Sequence, residues 1–308
     1  MSRRLRFVPP GSLVEITCRT IQGRLLLRPS PGLVDLTVGV LARAARLYPV
    51  EIHAFAFLSN HYHLLLTAPS AQRLSAFMNY LNSNLAREAG RLVRWREKFW
   101  GRRYQAILVS SEPEAQVSRL RYLLSHGAKE GLVASPLDWP GAHCANALLE
   151  GTPISGRWQN RTLELRAQRT RTSVDSNAFV EHELLLLAPL PCWRRYARDE
   201  QRQLAGDLVS QVEAEARARF ADSGRPPLGR QAVCAQNPHL EPIRIKRGCA
   251  PLAHAASQAA RRALLGAYRR FVDSYHDASS RLRRGLFDAE FPEGSFPPAL
   301  PFRPARDG

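Results

Sequence analysis

The sequence predicts an α+β fold, a mainly antiparallel sheet with helices packed on one face, followed by a basic and mainly helical C-terminal extension. Three observations carry this. Segments of alternating or continuous apolar character are interleaved with segments of 3.6-residue periodicity, in the order strand, helix, strand pair, helix, strand, helix. The strand pair is joined by a short turn at Asn60, which makes it antiparallel. Beyond Gly151 the texture changes to polar, arginine-rich sequence, which sets the expected division at residues 1–150 and 151–308.

The elements follow in order. Val14-Glu15-Ile16-Thr17-Cys18 alternates, and after a Gln22-Gly23 turn signal Leu25-Leu26-Leu27 continues, so a strand or hairpin is expected from Leu13 to Leu27. Leu33, Leu36, Val40, Leu41, Ala44 and Leu47 recur at helical spacing, and Pro49 ends that helix. Glu51 to Leu58 and His61 to Thr67 form the strand pair. Leu74, Phe77, Met78, Leu81, Leu85 and Ala89 then mark an amphipathic helix of about five turns. A strand is expected over Gln105 to Val109. After it, Ser111-x-x-Glu114 with Pro113 reads as a capping box opening a helix that Gly131 ends. In the second half, helical patterning returns at Gln201 to Phe220 and at His254 to Arg284, and Phe291 to Pro298 is extended and proline-rich.

Lys+Arg 44 against Asp+Glu 27 gives a net charge of +17. Most of the cations are arginine, whose planar fork suits phosphate, so nucleic acid is the favoured partner. No segment has the unbroken apolar length of a spanning helix, and Met1-Ser2-Arg3-Arg4-Leu5-Arg6 leads into Pro9-Pro10-Gly11, not into an apolar run. The expectation is a cytoplasmic protein with no membrane partner. Five scattered cysteines, Cys18, Cys144, Cys192, Cys234 and Cys249, read as reduced thiols.

Two short segments carry the chemistry. In Ser59-Asn60-His61-Tyr62-His63-Leu64-Leu65-Leu66 the two histidines are one residue apart, so on a strand both imidazoles share a face and can close on one divalent cation. A strand histidine is more often a packed or surface residue than a ligand. Here, however, the adjoining leucines bury the strand, and buried polar groups require partners. In Arg119-Leu120-Arg121-Tyr122-Leu123-Leu124-Ser125-His126, read as helix, a nucleophile and a third ligand stand at i and i+4, and Lys129 continues the stripe. The phenol, with an ordinary pKa near 10, needs a metal and nearby cations to ionise at neutral pH. Between these segments lies Arg91 to Tyr104, where Arg94, Trp95, Arg96, Lys98, Trp100, Arg102 and Arg103 interleave charge with rings. Single strands are held by that pairing of stacking and phosphate neutralisation.

The Asn-His-Tyr-His-Leu string after an apolar strand, the Lys98-Phe99-Trp100 segment, and the Tyr122 to Val133 stretch followed by Asp138-Trp139-Pro140 resemble the HUH single-strand transposases of the tyrosine type. The likeness is greatest to the REP-associated tyrosine transposases and covers residues 1 to 150. It implies a ferredoxin-like domain in which His61 and His63 bind Mg²⁺ or Mn²⁺ and His126 stands where a polar ligand completes the site. It also implies that Tyr122 attacks a DNA phosphate, leaving a 5′-phosphotyrosine and a free 3′-OH. The implied substrate is single-stranded or hairpin DNA drawn from repeated palindromes, handled by a monomer or a homodimer. Where relatives often have Asn-Pro-Val, this chain has His126-Gly127-Ala128, which keeps a ligand-capable group and alters the backbone constraint. Two other readings stand beside this one: a hairpin-binding protein without catalysis, and a phosphoesterase acting through activated water with Tyr122 merely structural.

Overall fold

The computed structural model of the protein describes residues 4–170, 175–242 and 251–297. The first half runs β1 (Leu13–Arg19), α1 (Pro31–Leu47), β2 (Glu51–Phe57), β3 (His61–Thr67), α2 (Ala71–Leu92), β4 (Gln105–Val109) and α3 (Pro113–Leu124). This is the alternation the apolar periodicity predicts. One expected strand does not form. Ile21–Gly23 is a single 3₁₀ turn, and Leu26 and Leu27 enter the core as irregular chain, with the Leu27 N–H donated to Ser59 O at 2.8 Å. The reason is topological: β1 is central and both its edges are already paired, to β3 and β4, leaving no edge for a hairpin partner.

The sheet order is β2-β3-β1-β4, all antiparallel, with a fifth strand joining beyond β4. Leu64, Leu65 and Leu66 of β3 are buried on both faces of the sheet. Burying each is worth about 1.5–3 kcal/mol. A one-residue slip would turn the whole strand over, so these leucines set the register that aims the histidines. Helices α1 and α2 pack together, and α2 meets the Tyr62 face, where the Tyr62 hydroxyl donates to Asn82 Oδ1 at 2.7 Å. Helix α3 lies over the other face, that of His61 and His63, so the ferredoxin-like sheet is covered on both sides. That explains why β3 reads as a continuous apolar run.

The second half comprises α4 (Ala145–Glu150), β5 (Ile154–Gln159), α5 (Arg161–Arg169), β6 (Val180–Leu185), α6 (Arg198–Ser223), α7 (Arg230–Ala235), β7 (Ala253–His254) and α8 (Gln258–Arg283). It packs on the first half at several places. The antiparallel pair β5 and β6 lies across α1, where Gly39 and Gly156 meet so closely that a Cβ on either would fall 2.2 Å from backbone of the other element. Arg43 and Arg46 of α1 pair there with Glu183 of β6, at 2.7 Å each. Helix α6 packs on α3 and α4, and β7 adds a parallel strand to β4. Among the described residues no helix is long and apolar enough to cross a membrane. Cys18, Cys144, Cys192 and Cys234 are free thiols, and Cys249 lies outside the described residues.

Candidate metal and nucleophile site

Alternation along β3 puts His61 and His63 on one face, with ring centroids 5.1 Å apart. The third imidazole arrives differently from the continuous helix expected. Helix α3 ends at Leu124, and His126 sits in the turns that follow, its N–H donated to Leu123 O at 3.2 Å. Gly127, at φ 89°, unwinds the chain, and a Cβ there would press on Trp139 at 3.0 Å. The expected capping box is absent too: Glu112 is the N-cap residue, and Ser110 and a later segment take its carboxylate. The result still brings His126 to 4.1 Å from His63 and 5.8 Å from His61, centroid to centroid.

One ring nitrogen from each of the three histidines lies within 4.8 Å of the others. Their tautomers follow from their partners. His61 Nδ1 donates to Asn60 Oδ1 at 2.7 Å, His63 Nδ1 to Glu15 Oε1 at 2.8 Å, and His126 Nδ1 to Leu123 O at 3.1 Å. Each acceptor is an oxygen, so each Nδ1 carries the proton and each Nε2 keeps the lone pair a cation needs. Burial, reinforced by the neighbouring imidazoles and Lys129, holds His61 and His126 well below the ordinary histidine range, so both stay neutral. Three imidazoles oriented in this way fit a divalent transition metal better than Mg²⁺, which prefers oxygen ligands.

Tyr122 is 37% exposed, with its ring 4.8 Å from that of His126 and 6.0 Å from that of His63. Two cations flank it: Lys129 Nζ lies 3.5 Å from the ring centroid and Arg119 Cζ 4.2 Å. Partial burial, with Glu15 adding to it, raises the phenol above its ordinary pKa, and Arg119 opposes that shift. Burial lowers Lys129 to about 8, and its ammonium donates to His126 Nε2 at 2.9 Å. A cavity of about 240 Å³ opens between α3 and α6 beside the phenol, walled by Arg119, Arg121, Tyr122, Lys129 and Arg219.

Behind His63 stands a group that pattern reading did not single out. Glu15 is 3% exposed, and its second oxygen meets His254 Nε2 at 3.1 Å and Arg119 Nη1 at 3.3 Å. Burial alone would raise its pKa, but hydrogen bonds with His254 and His63 hold it well below the usual carboxylate range. An acid in the middle of an alternating apolar strand was the available signal. His254 had none, because only the tertiary pairing of β7 with β4 brings it here.

The basic aromatic segment lies elsewhere. Arg94, Arg96, Lys98, Arg102 and Arg103 are exposed, and Arg94 takes the left-handed backbone at φ 54°. Trp95 is half-buried, with Arg24 5.3 Å over its ring and His239 5.7 Å away. Trp100 turns inward, its indole N–H donated to Asn82 O at 2.9 Å and its ring against Tyr62. Lys129 alone of the proposed contacts belongs to the tyrosine site.

Residues 36–123 match the family model described as "Transposase IS200 like". The match includes both strand histidines and Tyr122 and stops before His126. Solved structures similar to this chain include the following two. One, a REP-associated tyrosine transposase bound to a REP hairpin, shares 18% identity over 49% of this chain and 86% of that chain, with a TM-score of 0.42. The other, a putative transposase from Deinococcus radiodurans, shares 20% identity over 35% of this chain and 86% of that chain, with a TM-score of 0.28. No curated protein matches.

Proposed function

We propose that the protein is a metal-dependent nuclease and strand transferase of single-stranded or hairpin DNA, with Tyr122 as the covalent nucleophile and His61, His63 and His126 as the ligands. The observation that carries this reading is the meeting, within one chain, of three oriented imidazoles and a cation-flanked phenol. Because phenol and imidazoles come from the same chain, the proposed site acts in cis, and a monomer suffices. The IS200-like segment supports the reaction class.

In the reaction, the Tyr122 phenol gives up its proton and its oxygen bonds to phosphorus, while the bond to the 3′ oxygen breaks and that oxygen is protonated to a free 3′-OH. Arg119 and Lys129 stabilise the phenolate and the incoming phosphate. A divalent cation, of which Mn²⁺ suits the imidazole set better than Mg²⁺, supplies polarisation of the scissile phosphate. The cavity against α6 receives the strand on the tyrosine side, and the exposed arginines and Trp95 hold it farther away.

The test is incubation with single-stranded hairpin DNA and Mn²⁺, followed by a denaturing gel for a covalent adduct. Wild type is expected to form it and Tyr122→Phe to form none. Cleavage that survives Tyr122→Phe but not His63→Ala would select activated water instead, and metal-independent binding without cleavage would select the non-catalytic reading.

A further inference from the structure

The second half of the chain does more than pack around the site. The carboxylate of Glu15 is buried and fully engaged: Oε1 accepts from His63 Nδ1, and Oε2 faces both Arg119 and His254. His254 Nε2 also lies 3.0 Å from Arg119 Nη1; with its proton on Nε2 the imidazole donates to Oε2, so His254 and Arg119 converge as two donors on that one oxygen. A lone buried carboxylate would be costly and free to turn, whereas one with both oxygens held has a single orientation.

How His254 is delivered is equally specific. β7 is only two residues long, in parallel register with Leu108 and Val109 of β4, and Ser110 N–H donates to His254 O at 2.8 Å. Immediately beyond, Ala256 and Ser257 N–H groups donate to the Glu112 carboxylate at 2.8 and 3.2 Å, and Ser257 then caps α8. Glu112 is the N-cap residue of α3, the helix that carries Arg119 and Tyr122. The short strap is therefore pinned to the sheet edge on one side and to the start of the tyrosine helix on the other.

We propose that His254 is a positioning residue of the site: with Arg119 it holds Oε2 of Glu15, so that Oε1 keeps His63 protonated on Nδ1 and leaves His63 Nε2 available to the cation. The inference rests on the metal-site reading above. On this account the C-terminal region completes the metal centre although none of its described residues is among the three ligands. Groups behind a metal ligand that fix its tautomer commonly matter about 10–100-fold in metal affinity.

The experiment uses the full chain and two readouts. Long-range proton–nitrogen correlation on histidine-labelled, metal-free protein reads the His63 tautomer, and calorimetry with Mn²⁺ reads affinity. His254→Phe keeps a ring of similar volume and removes both nitrogens. It is expected to leave His63 in mixed tautomers and to weaken Mn²⁺ binding about tenfold. His254→Gln, whose amide can donate to Glu15 and accept from Arg119, is expected to restore both. A purely packing role predicts the opposite ranking, with Phe tolerated and Gln defective. The proposal is overturned if His254→Phe leaves the His63 tautomer single and unchanged. Should wild type bind no Mn²⁺, the metal reading fails, and the tautomer measurement still decides whether His254 orients His63. Should His254→Phe fail to fold, Glu112→Gln, which loosens the strap's anchor outside the site, must shift the tautomer in the same direction or the proposal falls.

Discussion

The histidine face of the sheet and the basic aromatic segment are built on opposite principles. On the sheet, every imidazole of the cluster is tied through Nδ1 to an oxygen, and the oxygen of Glu15 is itself held by residues from two further elements. Along the segment from Arg94 to Arg103 the cations are exposed, and the rings of Trp95, Phe99 and Trp100 supply its fixed contacts. The contrast separates two tasks. Ligand atoms must be placed before a cation arrives, since misplacement costs chemistry steeply, whereas a flexible polymer is best met by charges able to follow it.

Removing one imidazole is the strongest way to break the first half of that contrast. His63→Ala deletes a proposed ligand and leaves the Glu15 carboxylate buried with one partner fewer. Calorimetry is expected to show Mn²⁺ affinity falling by more than the roughly 10–100-fold that loss of a supporting partner costs. Affinity for single-stranded DNA measured without metal should hardly change. Unchanged Mn²⁺ binding would mean that the cluster is not the cation site.

Acid separates the two regions through charge. Against the sheet, burial holds His53, a β2 residue whose ring meets Thr67 of β3, below the ordinary histidine pKa, and His143, bridged to Ala56 of β2, at about 4. Because the folded values lie below the unfolded value of about 6.5, the unfolded chain binds more protons as pH falls. Stability is therefore complete above pH ~6.5 and is lost as pH falls through about 4, His143 alone contributing on the order of 3 kcal/mol. Thermal unfolding between pH 7.5 and 4.5 should show the decline, and His143→Gln should flatten it. The arginines of the segment keep their charge throughout, so an equal loss of DNA affinity at pH 6 would contradict the separation.

The parts visible in the sequence are those governed by short-range pattern. The strand pair at Glu51–Phe57 and His61–Thr67 lies within one residue of the limits its alternation and turn predict, and His61 and His63 share a face as their spacing suggests, whereas His126 meets them from the turn after α3 and not from the helix. What was hidden depends on distant partners. Leu25 to Leu27 has strand composition but no open sheet edge to join. Ser111 and Glu114 have capping-box spacing, yet Glu112 takes the cap position and binds the strap before α8. His254 reaches Glu15 only because β7 pairs with β4, a contact no local pattern encodes.

The turn after α3 tests whether backbone, as well as side chains, places the third ligand. Gly127 has φ 89°, and its missing Cβ would sit 3.0 Å from Trp139 and 3.2 Å from Val133. Gly127→Ala is expected to cost about 2 kcal/mol from conformational strain and contact. That should lower the melting temperature by several degrees. Because His126 is the preceding residue, Mn²⁺ affinity should fall as well. A variant that melts lower but binds Mn²⁺ like wild type would show that the glycine serves the fold and not the ligand.

The smallest expected effect sharpens the comparison from inside the basic segment, where two tryptophans five residues apart have different settings. Trp95 is half-buried beside Arg24 and His239, on the rim of a groove that also includes Arg94 and Arg96. Trp100, also half-buried, packs on Tyr62 and Phe99 and gives its N–H to Asn82 O, so its ring faces the core. Trp95→Ala should weaken single-strand binding by about 1 kcal/mol, the low end for loss of a stacking ring, and leave the melting temperature nearly unchanged. Trp100→Ala should do the reverse, lowering the melting temperature while the folded protein keeps its affinity, because the deleted ring filled core space. Fluorescence anisotropy with a short oligonucleotide and a thermal melt on each variant decide it. If Trp100→Ala loses affinity while remaining folded, the inward tryptophan also meets DNA, and the division of the segment into core and contact ring is wrong.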